Sequence, residues 1–197
     1  MAIRLDMTMS VDGYVVGPND SVDAPMGDGG FRLFNWLDRR NDPGPSGQVV
    51  AESMATRAVI AGRRTFEHAG QWNGDHHDGV PIFILTREIP AEPPPGSVRY
   101  VTDAREAAAL ARAAAGDADV VVMGAGAPQA LLRVGELDEM ELHVVPVLLG
   151  RGRRLFDDLP RVDLELVRRL TTGEEVDPAQ RVMHLRYRVR WAQRYVR

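Results

Sequence analysis

The sequence predicts an α/β fold, a three-layer sandwich around a mostly parallel sheet that closes with an antiparallel C-terminal hairpin. Three observations point there. The runs Ala58-Val59-Ile60-Ala61, Ile82-Phe83-Ile84-Leu85 and Val120-Val121-Val122-Met123 are apolar at every position, the pattern of parallel strands covered on both faces. Two of these runs lead directly into helix-like segments, Thr65 to Ala69 and Pro128 to Val134. Beyond Arg151 the pattern changes to alternation: Val162, Leu164 and Leu166 alternate with charges, and Val182, His184 and Arg186 alternate with Met183, Leu185 and Tyr187. These last two segments read as strands with solvated arginine faces, joined around Thr172-Gly173.

The remaining elements follow in order. Ile3, Leu5, Met7 and Met9 alternate with Arg4, Asp6 and Thr8, giving a first strand with one face buried more than the other. Gly13 to Gly30 reads as a long loop, and Phe31, Leu33, Phe34 and Leu37 form a helical stripe with Trp36 beside it. Asn41 to Gly47, rich in Pro and Gly, breaks the chain before a short helix from about Val49 to Ala55. Gly70 to Gly79 is a polar loop and Ile89 to Gly96 a Pro-rich connection. Asp103 can cap a helix with Glu106 as its capping-box partner, Gly116 suits the helix end, and Leu142 to Leu149 is a further strand.

The chain has 197 residues and is 44% hydrophobic, enough for one domain over residues 1–197 with a substantial core. It has no Cys, and all 24 basic residues are Arg. A thiol nucleophile, a disulfide, a Cys-ligated metal, a Schiff-base lysine and a lysine-dependent phosphate loop are therefore excluded. A net charge of −4 argues against broad nucleic-acid binding. No basic segment followed by an apolar stretch opens the chain, and no run approaches the roughly 20 apolar residues of a membrane span, so a cytoplasmic protein without membrane association is expected.

Each of the three apolar runs ends in residues suited to phosphate: Gly62-Arg63-Arg64-Thr65, Thr86-Arg87 and Gly124-Ala125-Gly126. Open α/β sheets bind ligands beyond the carboxyl ends of their strands, where free N–H groups of a following helix face anions. Together the three point to a dinucleotide site. Two arginines beside a nucleotide supply the permanently charged fork that favours NADP over NAD.

With the N-terminal Ser10-x-Asp12-Gly13, the Gly62-Arg63-x-Thr65-Phe66 and Gly124-x-Gly126-Ala127 turns, and the stretch Leu137 to Gly150 followed by Arg154-Leu155-Phe156, the chain resembles the reductase domain of riboflavin biosynthesis and its dihydrofolate-reductase-like relatives. The resemblance implies an NADPH-dependent reductase passing a hydride to a ring C=N or a sugar carbonyl, with a non-catalytic nucleotide or flavin binder of the same fold as the alternative. It implies that Gly62 brings backbone close to the cofactor, that Arg63, Thr86 and Arg87 hold the 2′-phosphate, and that Thr65 bonds the pyrophosphate. Gly124, Ala125, Gly126 and Ala127 would cradle that pyrophosphate with Gln129 nearby, and Gly126 is expected to take a backbone angle that only Gly tolerates. Relatives often hold a cis Gly–Gly bond at this turn. With Ala125 in the middle, either the strain is retained or the turn differs.

The resemblance also implies that Thr8, Val16 and Gly17 hold the nicotinamide, and that Asp28, Arg32 and Trp36 lie on the substrate side. Ser10 and Asp12 read as turn-formers. Dihydrofolate reductases carry a buried carboxylate on the helix after the first loop, but neither Asp28 nor Asp38 aligns with it, so no catalytic residue is assigned. Asp75-His76-His77-Asp78 reads as a substrate-side or solvent loop rather than a metal site, because consecutive loop residues rarely converge on one ion. His143 reads as a satisfied core or interface residue. The apolar and aromatic residues Tyr187, Val189, Trp191 and Tyr195 of the final hairpin, close to the terminus, lead us to expect a homodimer.

Overall fold

In the computed structural model, which describes residues 1–92 and 97–191, the chain builds one eight-stranded sheet. Its strands in chain order are β1 (Ile3–Ser10), β3 (Ala58–Gly62), β4 (Ile82–Leu85), β5 (Val98–Val101), β6 (Val120–Met123), β7 (Glu139–Val145), β9 (Asp163–Thr171) and β10 (Met183–Arg190). Across the sheet they run β5-β4-β3-β6-β1-β7-β10-β9. All pairs are parallel up to β7, and β10 then runs antiparallel to both β7 and β9. A separate ribbon pairs β2 (Tyr14–Val16) with β8 (Arg153–Arg154).

The apolar runs are central strands, and their side chains divide between two cores. Ala58, Ile60, Val120 and Val122 pack with the alanines of α3 (Ala104–Ala115) and with Leu131 and Leu132 of α4 (Gly126–Val134). Val59, Ala61 and Val121 pack on the other face with Phe66 of α2 (Arg63–His68). A third cluster on that second face joins Leu33 and Trp36 of a 3-10 helix (Gly30–Arg39) to Val49 of α1 (Pro45–Met54). Half of the capping box forms: Glu106 N–H donates to Asp103 at 2.8 Å, while the Glu106 carboxylate turns instead to Arg99 at 3.4 Å, and Gly116 closes α3 at φ +62°.

Several expectations change. β1 is buried on both faces: Arg4, Asp6 and Thr8 are buried as well as Ile3 and Leu5, because a central strand is covered on either side. The stripe around Trp36 winds as a 3-10 helix, the following helix begins at Pro45, and β7 stops at Val145. The C-terminal arginines are not simply solvated. Arg168 and Arg186 are half-buried and bind Glu52 of α1 and Glu141 of β7, with Arg168 at 2.7 Å from Glu52 and 3.1 Å from Glu141. Conversely Leu164 and Leu166 of the edge strand β9 are exposed rather than core. Tyr195 and the proline-rich 93–96 lie outside the described residues.

Candidate active site

Adjacent strands β3 and β6 send their following helices to opposite faces of the sheet, α2 with Phe66 to one and α4 with Leu131 and Leu132 to the other. This is a topological switch point, where the chain leaves a crevice at the carboxyl ends of the strands. A cleft of about 1450 Å³ occupies it.

One half is lined by Gly62, Arg63, Thr65, Thr86, Arg87, Gly124, Ala125, Gly126, Ala127 and Gln129. Arg63 is held through Nε by Glu67 at 2.6 Å, a contact that raises its already high pKa and fixes the guanidinium at the cleft edge. The Thr86 hydroxyl donates to the Glu88 carbonyl at 2.9 Å, shaping the turn that presents Arg87. Gln129 donates to the Leu155 carbonyl at 2.8 Å and ties α4 to the loop carrying β8.

The glycines of this half divide the work differently from the sequence reading. Gly126 is the first residue of α4, has no positive φ, and a Cβ there would meet no atom within 4 Å. The residue that only glycine can fill is Gly124. Its φ is +86°, and a Cβ would stand 2.1 Å from Oγ1 of Thr65. Every peptide bond among the described residues is trans, and Ala125 lies in helical conformation with its methyl in the core, so the turn itself differs from a cis Gly–Gly bend.

The other half is apolar, with Phe31, Phe34, Trp36, Leu37 and Val50 on its walls and Val16 beside them. Trp36 is both core and lining: 3% exposed, it donates from Nε1 to Oγ1 of Thr8 at 3.2 Å. Three sequence-assigned residues fall outside. Gly17 packs against the Asp28 backbone and spends its N–H on the Met26 carbonyl at 2.9 Å, so that group is not open to a carboxamide. Asp28 is exposed and accepts from Asn19 at 2.7 Å, and Arg32 turns away to the Pro178 carbonyl at 3.4 Å. Asp28 faces solvent in the loop before the 3-10 helix, and Arg32, half-buried within that helix, points toward the segment of Pro178 rather than the cleft. Asp12 acts as a tether, accepting N–H bonds from Leu149 and Gly150, while Ser10 takes the Tyr14 N–H at 2.9 Å.

Sequence reasoning missed the polar floor. Asp6 of β1 and His143 of β7 both line the cleft, with His143 Nε2 2.9 Å from Asp6 Oδ1. His143 Nδ1 lies 2.7 Å from Nδ1 of His184 on β10. Burial raises the Asp6 pKa, but the His143 imidazole beside it, with Arg4 and Ser53, brings the carboxyl below its ordinary value. Burial, and then the neighbouring His143, drives His184 down to about 3. The available signal was Asp6 at an inward position of a central strand, a costly place for a carboxylate without a partner. His76 also lines the cleft, near the sulfur of Met123 at 3.1 Å, and burial followed by His77 lowers it to about 4. His77 is buried against the Thr56 carbonyl.

The fold and this crevice define a dihydrofolate-reductase-like α/β protein. The family model of the RibD C-terminal domain matches residues 1–177, and the chain belongs to that family. A protein from Shewanella sp. PV-4, provisionally assigned to riboflavin biosynthesis, superposes with a TM-score of 0.71 at 20% identity, over 97% of this chain and 100% of its own. Dihydrofolate reductase from Enterococcus faecalis, complexed with NADP(H) and RAB-propyl, gives a TM-score of 0.62 at 14% identity, over 95% of this chain and 96% of its own. No match is found among the curated proteins. No helix among the described residues is long and apolar enough to cross a membrane.

Proposed function

We propose that the protein is an NADPH-dependent reductase acting on a small heterocyclic or carbonyl substrate. The observation that carries this reading is the continuity of one cleft, in which the phosphate-suited turns and the apolar walls around Trp36 share a single space. At about 1450 Å³ it exceeds the roughly 300–1,000 Å³ of an ordinary small-molecule pocket, leaving room for a dinucleotide and a second molecule.

The residues present fit the cofactor. The N-terminal turn of α4 opens at Gly126 with no side chain in the way and would face the pyrophosphate with its free N–H groups. Arg63 and Arg87 would take the 2′-phosphate, and Thr8, Val16 and Trp36 would bound the nicotinamide and substrate. When bound, the cofactor supplies the hydride. The chain itself orients donor and acceptor and keeps water from the apolar half, the main sources of rate in such a transfer.

Titration calorimetry with NADPH and NADH, followed by NADPH oxidation against pteridine, pyrimidine and quinone acceptors, tests the reading. We expect NADPH binding and turnover of at least one acceptor. Failure to bind either nucleotide overturns the proposal, and binding without turnover on any acceptor identifies a non-catalytic nucleotide or flavin binder.

A further inference from the structure

Asp6, His143 and His184 lie on neighbouring strands β1, β7 and β10, with His143 and His184 directly opposite in register and Thr8 opposite His143. Three side chains in contact therefore cross the sheet on one face, roofed by Trp36, whose ring centroid is 4.7 Å from that of His143 and 5.1 Å from that of His184. The row continues. His184 Nε2 is 3.5 Å from Oγ of Ser46, at the long end of hydrogen-bonding range, in the first turn of α1. Ser46 lines a second cavity of about 70 Å³ with Arg39, Asp42, Thr172 and Glu175, room for about two waters at roughly 30 Å³ each. Asp42 and Glu175 are exposed, so this cavity meets solvent at a place remote from the cleft mouth.

We infer that Asp6, His143, His184 and Ser46 form a proton wire from the second cavity to the cleft, and that the Asp6–His143 pair delivers the proton that accompanies the hydride. The inference rests on the reductase reading. Reducing C=N or C=O adds a hydride to carbon and a proton to nitrogen or oxygen, and no other buried acid lies on the sheet floor of the cleft among the described residues. One set of donors satisfies all four groups: the Ser46 hydroxyl to His184 Nε2, His184 Nδ1–H to His143 Nδ1, and His143 Nε2–H to Asp6. Each proton moves one step along that row. Asp6 passes the His143 proton to the substrate, His143 takes one from His184, His184 takes one from Ser46, and water in the second cavity replaces it. After product leaves, cleft water reprotonates His143 at Nε2 and the row reverts, so the row lends its proton at the moment of hydride transfer and cleft water makes it good between turnovers. The charged and titratable groups around the wire are Arg4 on β1, Glu141 on β7 opposite Asp6, Arg186 on β10, Arg168 on β9 and His76 at the cleft, with the Ser53 hydroxyl on α1. A neutral His184 suits a relay, because it has one nitrogen to accept and one to donate.

The test uses the full chain. Long-range ¹H–¹⁵N spectra between pH 8 and 5 should show His184 neutral with its proton on Nδ1, the Nε2 resonance of His184 moving in Ser46→Ala, and that of His143 moving in Asp6→Asn. With an acceptor that the parent reduces, Asp6→Asn should lower kcat by roughly 10²–10⁴-fold, the range for loss of a general acid, with NADPH affinity within about twofold of the parent. Ser46→Ala, a milder change at the far end, should lower kcat and raise the solvent deuterium isotope effect, and Ser46→Thr should restore both. The wire is overturned if Ser46→Ala leaves kcat, isotope effect and pH profile at parental values, or if His184 carries its proton on Nε2. Spectra as expected in a protein that binds NADPH and reduces no acceptor would instead overturn the reductase reading, and with it the delivery of a proton to substrate, while leaving the hydrogen-bonded row itself in place.

Discussion

Gly124 stands against Thr65 so closely that a Cβ on the glycine would fall 2.1 Å from the threonine Oγ1. Two turns from adjacent strands thus interlock at the head of the cleft, where β3 enters α2 and β6 enters α4. With φ at +86°, Gly124 is also in a backbone region costing an L residue about 1–2 kcal/mol.

Gly124→Ala should therefore lower stability by about 2 kcal/mol or more, the steric overlap adding to the backbone term, and should weaken nucleotide binding as the two turns separate. Gly126→Ala should leave stability within about 0.5 kcal/mol of the parent, since its Cβ meets open space. Thermal unfolding and titration calorimetry on the pair check this. Equal losses in the two variants would mean that the interlock has no energetic weight.

Arg63→Ala should weaken NADPH by about 1.5–3 kcal/mol, the worth of a charge-assisted bond to phosphate, while NADH changes little. Glu67→Gln frees the Arg63 guanidinium from its carboxylate, and we expect a smaller loss of NADPH affinity from poorer positioning. Parallel losses for both nucleotides in Arg63→Ala would make Arg63 structural.

The low values of His184, about 3, and His76, about 4, carry a stability signature. Unfolded, both rings titrate near 6.5, so between that pH and their folded values the unfolded state binds the extra protons. Stability should fall as pH drops from 6.5 toward 4. His184→Gln should remove close to one proton from this dependence, read as a shallower slope of unfolding free energy against pH in urea titrations. An unchanged slope would place His184 outside the titrating set.

Glu52 meets Arg168 and Arg186, and although burial raises its pKa, these bonds with that from Gln48 bring it to about 2. Glu52→Gln should destabilise the protein at pH 7, with the difference from the parent narrowing as pH falls below 4.5, where Glu52 of the unfolded chain takes up a proton, and vanishing below the folded value of about 2. Chemical denaturation at pH 7 and pH 3 compares the two.

We also propose a homodimer through the C-terminal hairpin. Leu164, Leu166 and Trp191, at 42%, 53% and 39% exposure, leave apolar surface around the edge strand β9 that a second copy would cover. Light scattering at micromolar concentration should give twice 21.7 kDa, and Leu166→Arg should return the monomer. A parent of monomeric mass excludes the pairing.

The order of elements and the turns that line one half of the cleft were legible because each is written locally, in apolar runs followed by Gly, Arg and Thr. The polar floor was not. Asp6, His143 and His184 are separated by 137 and 41 residues, and only the pairing of β1 with β7 and of β7 with β10 sets them in a row. Local alternation also misjudged β10, where His184 and Arg186 look solvent-facing until α1 covers them. Asp28 and Arg32 lie outside the cleft for a related reason, since sequence proximity to Trp36 does not say which way the preceding loop and a 3-10 helix turn their side chains.

Because β1 sends Ile3, Leu5 and Met7 to one face and Arg4, Asp6 and Thr8 to the other, its two sets of side chains cannot trade places without changing the chemistry of the cleft. Inserting or deleting one residue within this strand would put a methionine or leucine beside His143 and drive a carboxylate into the alanine-lined core. A point change in β1 disturbs one side chain and leaves the others on their own faces. Changes of length in β1 cannot, and descendants of this chain should vary in the loops from Gly17 to Gly29 and from Gly70 to Gly79 while keeping the spacing from Ile3 to Ser10 fixed.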